Sequence, residues 1–488
     1  MKINEIVDAL GEQLLKSINM QDSMEKSVSG ITSMYQDIEP GHVFMLKNSA
    51  TSAYYFDAAS ANTPAFIITD FEVGRFDDRD VPVVYVEDFM KAANKMAEFF
   101  YGESIKKLKY IAVTGTNGKT TVSHFIGRLL SNLGCRTATV GTLGIFDDSY
   151  QKVPFRHTTP TTPMHLEFAE IIKHFADRDY DYIVYEATSI ALDQQRTDFI
   201  WNDMAIFNNF SPEHIEYHGT VEAYLSAKLK LAERSTRVIA NADVPEYAAL
   251  TGQGRHFSKS PGTYYHYQTE LDHVNLSIGG SSYMVSPGFI GEHNYINLAT
   301  AVFGLVETGF SAAAVTEASR GIQAPVHRFE LFSEGSYDFV LDFAHTPVAI
   351  NEAILNALKY ARAKGKNLMV MVTGIGLRGQ DKIKMTMEML PEDIPYLILA
   401  AEQVGYEDEE MIVQMMRKHL PESYNNMNII TAFSRQEGIV QAIEHADEDT
   451  LILLTGINEP QNYRGGMVAH DDREFISSYV TGNLNKKG

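Results

Sequence analysis

One heptapeptide carries residue types suited to phosphate chemistry: Gly115-Thr116-Asn117-Gly118-Lys119-Thr120-Thr121. Two glycines allow a tight turn whose backbone N–H groups point inward, and a helix start beyond it adds partial positive charge. Lys119 can reach the outer phosphates of a nucleotide, and the Thr120 hydroxyl can bind the accompanying magnesium. The spacing departs from the strict phosphate-loop pattern, which wants a glycine where Val113 stands. Taken alone, the heptapeptide also reads as an ordinary strand-to-helix turn. Its flanks favour the phosphate reading. Tyr110–Val113 is a short apolar run that reads as a buried strand. Val122, Phe125, Ile126, Leu129, Leu130 and Leu133 recur at helical spacing, and Gly134 is placed to end that helix.

Three further residues stand where chemistry could be done. Glu186 follows the strand-like Tyr182–Tyr185 and could hold magnesium; a helix cap or a surface acid is the alternative. His214, in the loop-like NFSPEHIEYHG, is a metal ligand or a structural imidazole. Lys228, in the helical run VEAYLSAKLKLAE, shares a face with Tyr224, Leu225, Leu231 and Ala232. A lysine so placed either snorkels or is modified. GIGLRG, Gly374 to Gly379, fits the G-x-G-x-x-G dinucleotide pattern literally, and a plain strand-to-helix loop fits it as well.

These residues need elements to hold them. The chain has 488 residues, enough for about three domains. The expected fold class is α/β in three domains. A small N-terminal α/β domain spans 1–102, with strands near 43–45, 65–68 and 83–86, a helix over 89–101 and a linker in GESIKKLK. A central domain over 103–323 is of phosphate-loop type, with a mostly parallel sheet and helices. Within it, 263–286 reads as an antiparallel excursion, followed by a helix over 297–308. A Rossmann-like α/β domain over 324–488 has strands near 338–343, 367–373, 396–400, 428–431 and 450–455.

Composition narrows the partners. The chain is 44% hydrophobic and 21% charged, as globular proteins are, and its formal net charge is -22. That charge argues against coating nucleic acid or an anionic membrane. Cys135 is the single cysteine, so no internal disulfide forms. No apolar run long enough for a spanning helix is present, and the start MKINEIVDALGEQLL lacks the apolar core of a signal peptide. A cytoplasmic location without membrane insertion is expected.

Several segments together resemble the Mur ligases, most closely the MurE type, over nearly the whole chain. They are TGTNGKTT, EATSIALDQQR, NNFSPEHIEYHGTVEAYLSAK, GEHNYIN, HRFE followed by DFAHTP, and DDRE at 471–474. The resemblance implies an ADP-forming ligase that joins a small-molecule carboxylic acid, UDP-linked or not, to an amino acid or amine. ATP and two magnesium ions are the implied cofactors. It further implies that Lys119 stabilises the transferring phosphate, that Thr120 and Glu186 hold one magnesium, and that His214 helps hold the second. Lys228 matches a lysine that is carbamylated in the family, which makes it anionic. Asn294, Arg328 and Asp342 match positions that meet adenine and ribose, with His345 in the same loop. Thr161, Thr162, Thr188, Gln194 and Arg196 match positions around the acyl substrate, and Glu459 joins the substrate set.

Departures from the family concern recognition. An Asp-Ser-Arg stretch near the uridine site is absent from ITSMYQDIEPGHVF. Thr188, Ser189 and Ile190 stand where two serines and a histidine are common, and Pro212-Glu213-His214 stands for Arg-Asp-His. Glu402-Gln403-Val404-Gly405 replaces the Asp-Asn-Pro-Arg of diaminopimelate enzymes. Thr455-Gly456-Ile457-Asn458-Glu459 replaces Gly-Lys-Gly-His-Glu. A guanidinium that would grip a carboxylate is thus missing. An intact ATP engine with altered acceptor pockets is expected, in a specialised pathway. Its rivals are a housekeeping MurE enzyme of peptidoglycan synthesis and a catalytically silent nucleotide-binding homologue.

Overall fold

Short β-branched runs alternate with amphipathic helices, and the chain folds accordingly into three main sheets, each flanked by helices. The computed structural model describes residues 1–488 except 21–22, 72–80, 157, 251, 253, 393, 427–428, 459 and 488. The first sheet has five strands in the order Leu14–Ile18, Val83–Val86, Phe66–Thr69, His42–Leu46, Gly30–Thr32. Its first pair is antiparallel and the others parallel.

In the central sheet, the strand Lys109–Thr114 lies between Met204–Phe207 and Tyr182–Glu186, parallel to both. Val238–Asn241 and Arg255–Ser258 continue the parallel set on one side, Thr137–Gly141 on the other, where Gly144–Phe146 closes it antiparallel. The helix Lys119–Asn132 packs on this sheet because Val122, Phe125, Ile126, Leu129 and Leu130 form its fully buried face. Gly118 precedes it at φ 77°, a left-handed conformation that costs a side chain about 1–2 kcal/mol.

The C-terminal sheet runs Arg328–Glu334, Tyr337–Asp342, Thr450–Thr455, Asn367–Ile375, Tyr396–Glu402, Ile429–Ala432, with only the first pair antiparallel. Two apolar layers, one around Ile354, Val370 and Leu399, the other around Met371, Ile439 and Leu454, cover its faces.

The chain divides into two compact units. The first comprises Met1–His266, Ile278–Gly280 and Thr300–Ala318, and the second Tyr267–Ser277, Ser281–Ala299 and Ser319–Gly488. The N-terminal sheet falls in the same unit as the phosphate loop. One tie within that unit is Asn94, whose side chain donates to the Gln195 carbonyl and accepts from the Phe199 amide, both at 2.9 Å.

Several expectations are corrected. GESIKKLK is not a free linker: Gly102–Ile105 close the helix Phe89–Ile105 and Lys109 opens the next strand, because Ile105 and Leu108 are buried. The stretch 263–286 forms three strands, but the first, Tyr265–Thr269, pairs in parallel with Arg255–Ser258. The helix expected over 297–308 starts earlier, at Glu292. GIGLRG is a plain loop in the dinucleotide sense. Gly374 lies inside the strand, paired with Ala401, and a Cβ there would meet Ile412 and Met416 at 2.6 Å. A dinucleotide cradle needs that glycine in the turn beyond the strand.

Candidate active site

The phosphate loop is docked on the segment that follows the neighbouring strand. The Asn117 amide donates to Asn209 Oδ1 at 2.8 Å, and Asn208 Nδ2 donates to the Asn117 carbonyl at 3.3 Å. Thr116 Oγ1 donates to the Ser211 carbonyl and accepts from its amide, both at 2.9 Å. Lys119 curls over the loop, donating to the Gly115 and Thr116 carbonyls at 2.9 Å each. Thr121 is buried in the first helical turn. A concave loop with a lysine at its mouth matches the cradle that an anionic nucleotide needs.

Glu186 is the last residue of its strand and is 1% exposed. Thr120 Oγ1 donates to its carboxylate at 3.0 Å. The Thr142 amide and hydroxyl also donate to it, at 2.8 and 3.2 Å. Sequence reasoning missed Thr142. Its signal is its place just beyond the strand Thr137–Gly141, which was itself not read from the sequence. Gly141 leaves the room this carboxylate needs, since a Cβ there would lie 2.1 Å from Glu186 Oε1.

Lys228 comes in from the helix Val221–Glu233, whose start is capped by Thr220. It is 1% exposed, and its Nζ donates to the Gly115 carbonyl at 2.8 Å. It does not snorkel. Burial, reinforced by the nearby Lys119, drives its pKa well below the usual lysine range. The ring of Tyr224 lies 4.7 Å from this nitrogen, and its hydroxyl pairs with Thr116 Oγ1 at 3.0 Å. His214 adopts a left-handed backbone, φ 55°, before the helix Ile215–His218, with its ring 6.3 Å from that of Tyr224. Burial holds the imidazole below its ordinary range, and Lys119 and Lys228 act in the same direction. Lys119, Thr120, Glu186, Lys228 and His214 therefore form one cluster.

Beside it lies a polar shelf. Thr161 and Thr142 share a hydroxyl contact of 3.1 Å, and Thr162 Oγ1 donates to the Glu186 carbonyl at 2.7 Å. Thr188 contacts Thr162 at 3.1 Å and caps the short helix Ser189–Asp193. Arg196 is 8% exposed; it donates to Gln194 Oε1 at 2.9 and 2.7 Å and to the Thr162 carbonyl at 2.9 Å. Among the described residues it forms no ion pair with an acid, and burial lowers its pKa. A buried guanidinium without a direct ion pair is a ready receptor for a carboxylate. A cavity of ≈ 380 Å³, lined by Tyr35, Met45, Tyr55, Arg156, His165 and Glu167 among others, lies in the same unit.

In the second unit, Asn294 Nδ2 donates to the Arg328 carbonyl at 2.8 Å, while its buried Oδ1 has no partner among the described residues. Such an orphaned acceptor fits a ligand that brings a donor, as an adenine amino group does. Arg328 lies over the Phe343 ring at 4.6 Å, and His345 Nδ1 contacts the Phe343 carbonyl at 2.7 Å. Burial raises the Asp342 carboxyl to about 6. Glu459 lies outside the described residues. Among those described, no group of three or more His, Cys, Asp or Glu could hold a metal by itself. No helix among the described residues is long and apolar enough to cross a membrane.

A phosphate loop on a mostly parallel sheet, with a buried carboxylate and a buried lysine beside it, defines an α/β nucleotide-dependent enzyme. The sequence pattern of the Mur ligase middle domain matches residues 113–305, and that of the Mur ligase, glutamate ligase domain matches 327–458. The chain belongs to the Mur ligase family, and it is an ATP-dependent, ADP-forming amide ligase. It is similar to the UDP-N-acetylmuramoyl-L-alanyl-D-glutamate–2,6-diaminopimelate ligase of Aquifex aeolicus, 27% identical over 94% of this chain and 95% of that one. The Geobacillus kaustophilus enzyme of the same name is 29% identical over 82% and 84%. A solved structure of a ligase of that name superposes with a TM-score of 0.67 at 23% identity, covering 99% of both chains. MurF of Thermotoga maritima in complex with ADP gives 0.65 at 14% identity, covering 94% and 99%. Both share the three-domain α/β fold expected from the sequence.

Proposed function

We propose that the protein activates a carboxylic acid as an acyl phosphate at the expense of ATP and passes the acyl group to an amine, with an acceptor pocket unlike that of diaminopimelate enzymes. One observation carries the reading: Lys228 Nζ and the phosphate loop meet at 2.8 Å, with Glu186 joined to the same loop through Thr120 at 3.0 Å. Lys119 steadies the transferring phosphoryl group, and positioning with charge neutralisation does most of the work. Thr120, Glu186, His214 and modified Lys228 would hold two magnesium ions, which would supply charge neutralisation for phosphate. A neutral amine is the form that adds to carbon dioxide, giving a carbamate anion and releasing one proton; the burial of Lys228 supports that modification. Gly115 to Thr121 hold the phosphates, and Asn294, Arg328, Asp342 and His345 the nucleoside. Thr161, Thr162, Thr188, Gln194 and Arg196 receive the acid, with domains at 1–102, 103–323 and 324–488 in the cytoplasm.

The acceptor side supports an altered specificity. Gly405 stands where diaminopimelate enzymes place an arginine. It has φ 65°, and a Cβ on it would lie 2.5 Å from Leu377. Glu402 is fully buried and tied to Arg435, so it faces no ligand. Near-complete coverage of the curated MurE-type relatives favours a second reading, the housekeeping step. In it the acid is UDP-N-acetylmuramoyl-L-alanyl-D-glutamate and the amine 2,6-diaminopimelate. ADP release across a panel of acids and amines decides. Turnover with an acid and an amine outside that pair supports the first reading, and efficient turnover with that pair supports the second. Silence throughout, with ATP still bound, overturns both and leaves a silent homologue.

A further inference from the structure

The second unit contains a fully buried ionic hub that the phosphate chemistry does not use. Arg435 opens the helix Arg435–His445 and is 1% exposed. Its Nη1 donates to Glu402 Oε2 at 2.5 Å and to the Thr455 carbonyl at 2.8 Å. Nε and Nη2 grip the two oxygens of Asp472 at 2.8 and 2.5 Å, a bidentate fork. The other Glu402 oxygen accepts from the Ile457 amide at 2.6 Å, and His470 Nε2 contacts Asp472 at 2.6 Å. The Arg435 amide donates to the Tyr463 hydroxyl at 3.1 Å, and the Asp472 amide to Asn458 Oδ1 at 2.6 Å.

The hub's arms converge on one place. Glu402 ends the strand Tyr396–Glu402, and Thr455 ends the parallel strand Thr450–Thr455. The carboxyl ends of parallel strands are where open α/β sheets receive ligands. Loop 403–405 follows the first point, and residues 456–458, 460 and the short strand Gln461–Tyr463 follow the second. They are sewn to each other by Gln403 Nε2 donating to the Pro460 carbonyl at 3.0 Å, and by the Gly405 amide donating to the Asn462 carbonyl at 3.0 Å. Gly456 crosses so close that a Cβ would lie 2.3 Å from Glu402 Oε2 and 2.6 Å from Arg435 Nη1. No apolar isostere offers five donors in a fixed fork, so a guanidinium here fixes geometry more than it adds stability.

We propose that Arg435 is a positioning residue for the acceptor amine: its fork sets the relative placement of loop 403–405 and residues 456–458 and 460–463, which receive that substrate. The inference rests on the ligase reading above. Arg435→Lys keeps the charge and loses the fork, and Tyr463→Phe removes one hydroxyl tie with little cost to folding. Steady-state kinetics are run with UDP-N-acetylmuramoyl-L-alanyl-D-glutamate as acid and 2,6-diaminopimelate or L-lysine as amine. Any better pair from the ADP-release panel replaces them. Arg435→Lys should raise KM for the amine on the order of 10- to 100-fold, with KM for ATP and for the acid within about twofold of wild type. Tyr463→Phe should shift the same constant by a smaller factor, and hydrogen exchange should quicken at 456–463 in both. Unchanged amine KM in an active Tyr463→Phe protein, or equal loss in all three KM values, overturns the assignment of Arg435 and leaves the ligase reading standing. Should Arg435→Lys not fold, the Tyr463→Phe result alone decides. A wild-type protein that forms no ADP with any acid and amine overturns the ligase reading, and this inference with it.

Discussion

Lys228 shows how far a single residue could be read from its neighbours. Its helical face left snorkelling and modification open, and the structure places its nitrogen on the Gly115 carbonyl rather than in solvent. Lys228→Ala should be inactive and regain part of its activity with short carboxylic acids that mimic a carbamate; full activity without them would refute the modification. Lys119→Ala should lower ADP formation by roughly 10²–10³-fold or more, as loss of a charge-stabilising donor does. Gly141→Ala should push Glu186 aside. The expected result is an unchanged far-UV circular dichroism spectrum with a higher magnesium requirement for ADP release, at a stability cost of about 1–3 kcal/mol. Gly141 and Thr142, which follows it, were not legible because the strand Thr137–Gly141 is only five residues long. Arg435 was illegible for another reason: its partners lie 33 and 37 positions away.

At the scale of elements, long periodic segments were readable and edges were not. The phosphate-loop helix and the five parallel C-terminal strands were expected within a few residues, since each carries an apolar face or a β-branched run. The antiparallel edge strands Leu14–Ile18 and Arg328–Glu334 escaped notice, because half-exposed strands have weak alternation. His165 opens the helix His165–Ala176, is 2% exposed and is lowered by burial to about 3. Its folded pKa lies below the unfolded value near 6.5, so the stability it contributes is present above that value and lost as pH falls toward 3. From pH 7 to pH 5 the loss is about 2 kcal/mol. His165→Gln should therefore lose less stability than wild type over that interval in urea titrations; parallel slopes would refute the neutral buried imidazole.

The three-domain α/β fold read from the sequence is the one the molecule shares with a solved Mur ligase, and contacts gather it into two units, each with buried apolar cores. The fold class was legible because strand and helix runs alternate throughout, whereas the tie between Asn94 and the Gln195–Phe199 stretch spans about a hundred residues and leaves no local trace. Unfolding of such a chain need not be two-state. Arg435→Met should lower one calorimetric transition by an amount equivalent to about 3–5 kcal/mol and leave another in place. A uniform shift of the whole profile would argue for a single cooperative unit.

Arg196 has a consequence for how the natural acid could be found. A guanidinium folded inward with no acid in direct contact leaves the resting protein less stable than its liganded form. Whatever anion completes that charge should raise the melting temperature, because binding to the native state alone shifts unfolding by mass action. A library of carboxylic acids could thus be ranked by melting curves with neither nucleotide nor acceptor in the tube, and the blunted response of Arg196→Gln would mark which rises come from this socket.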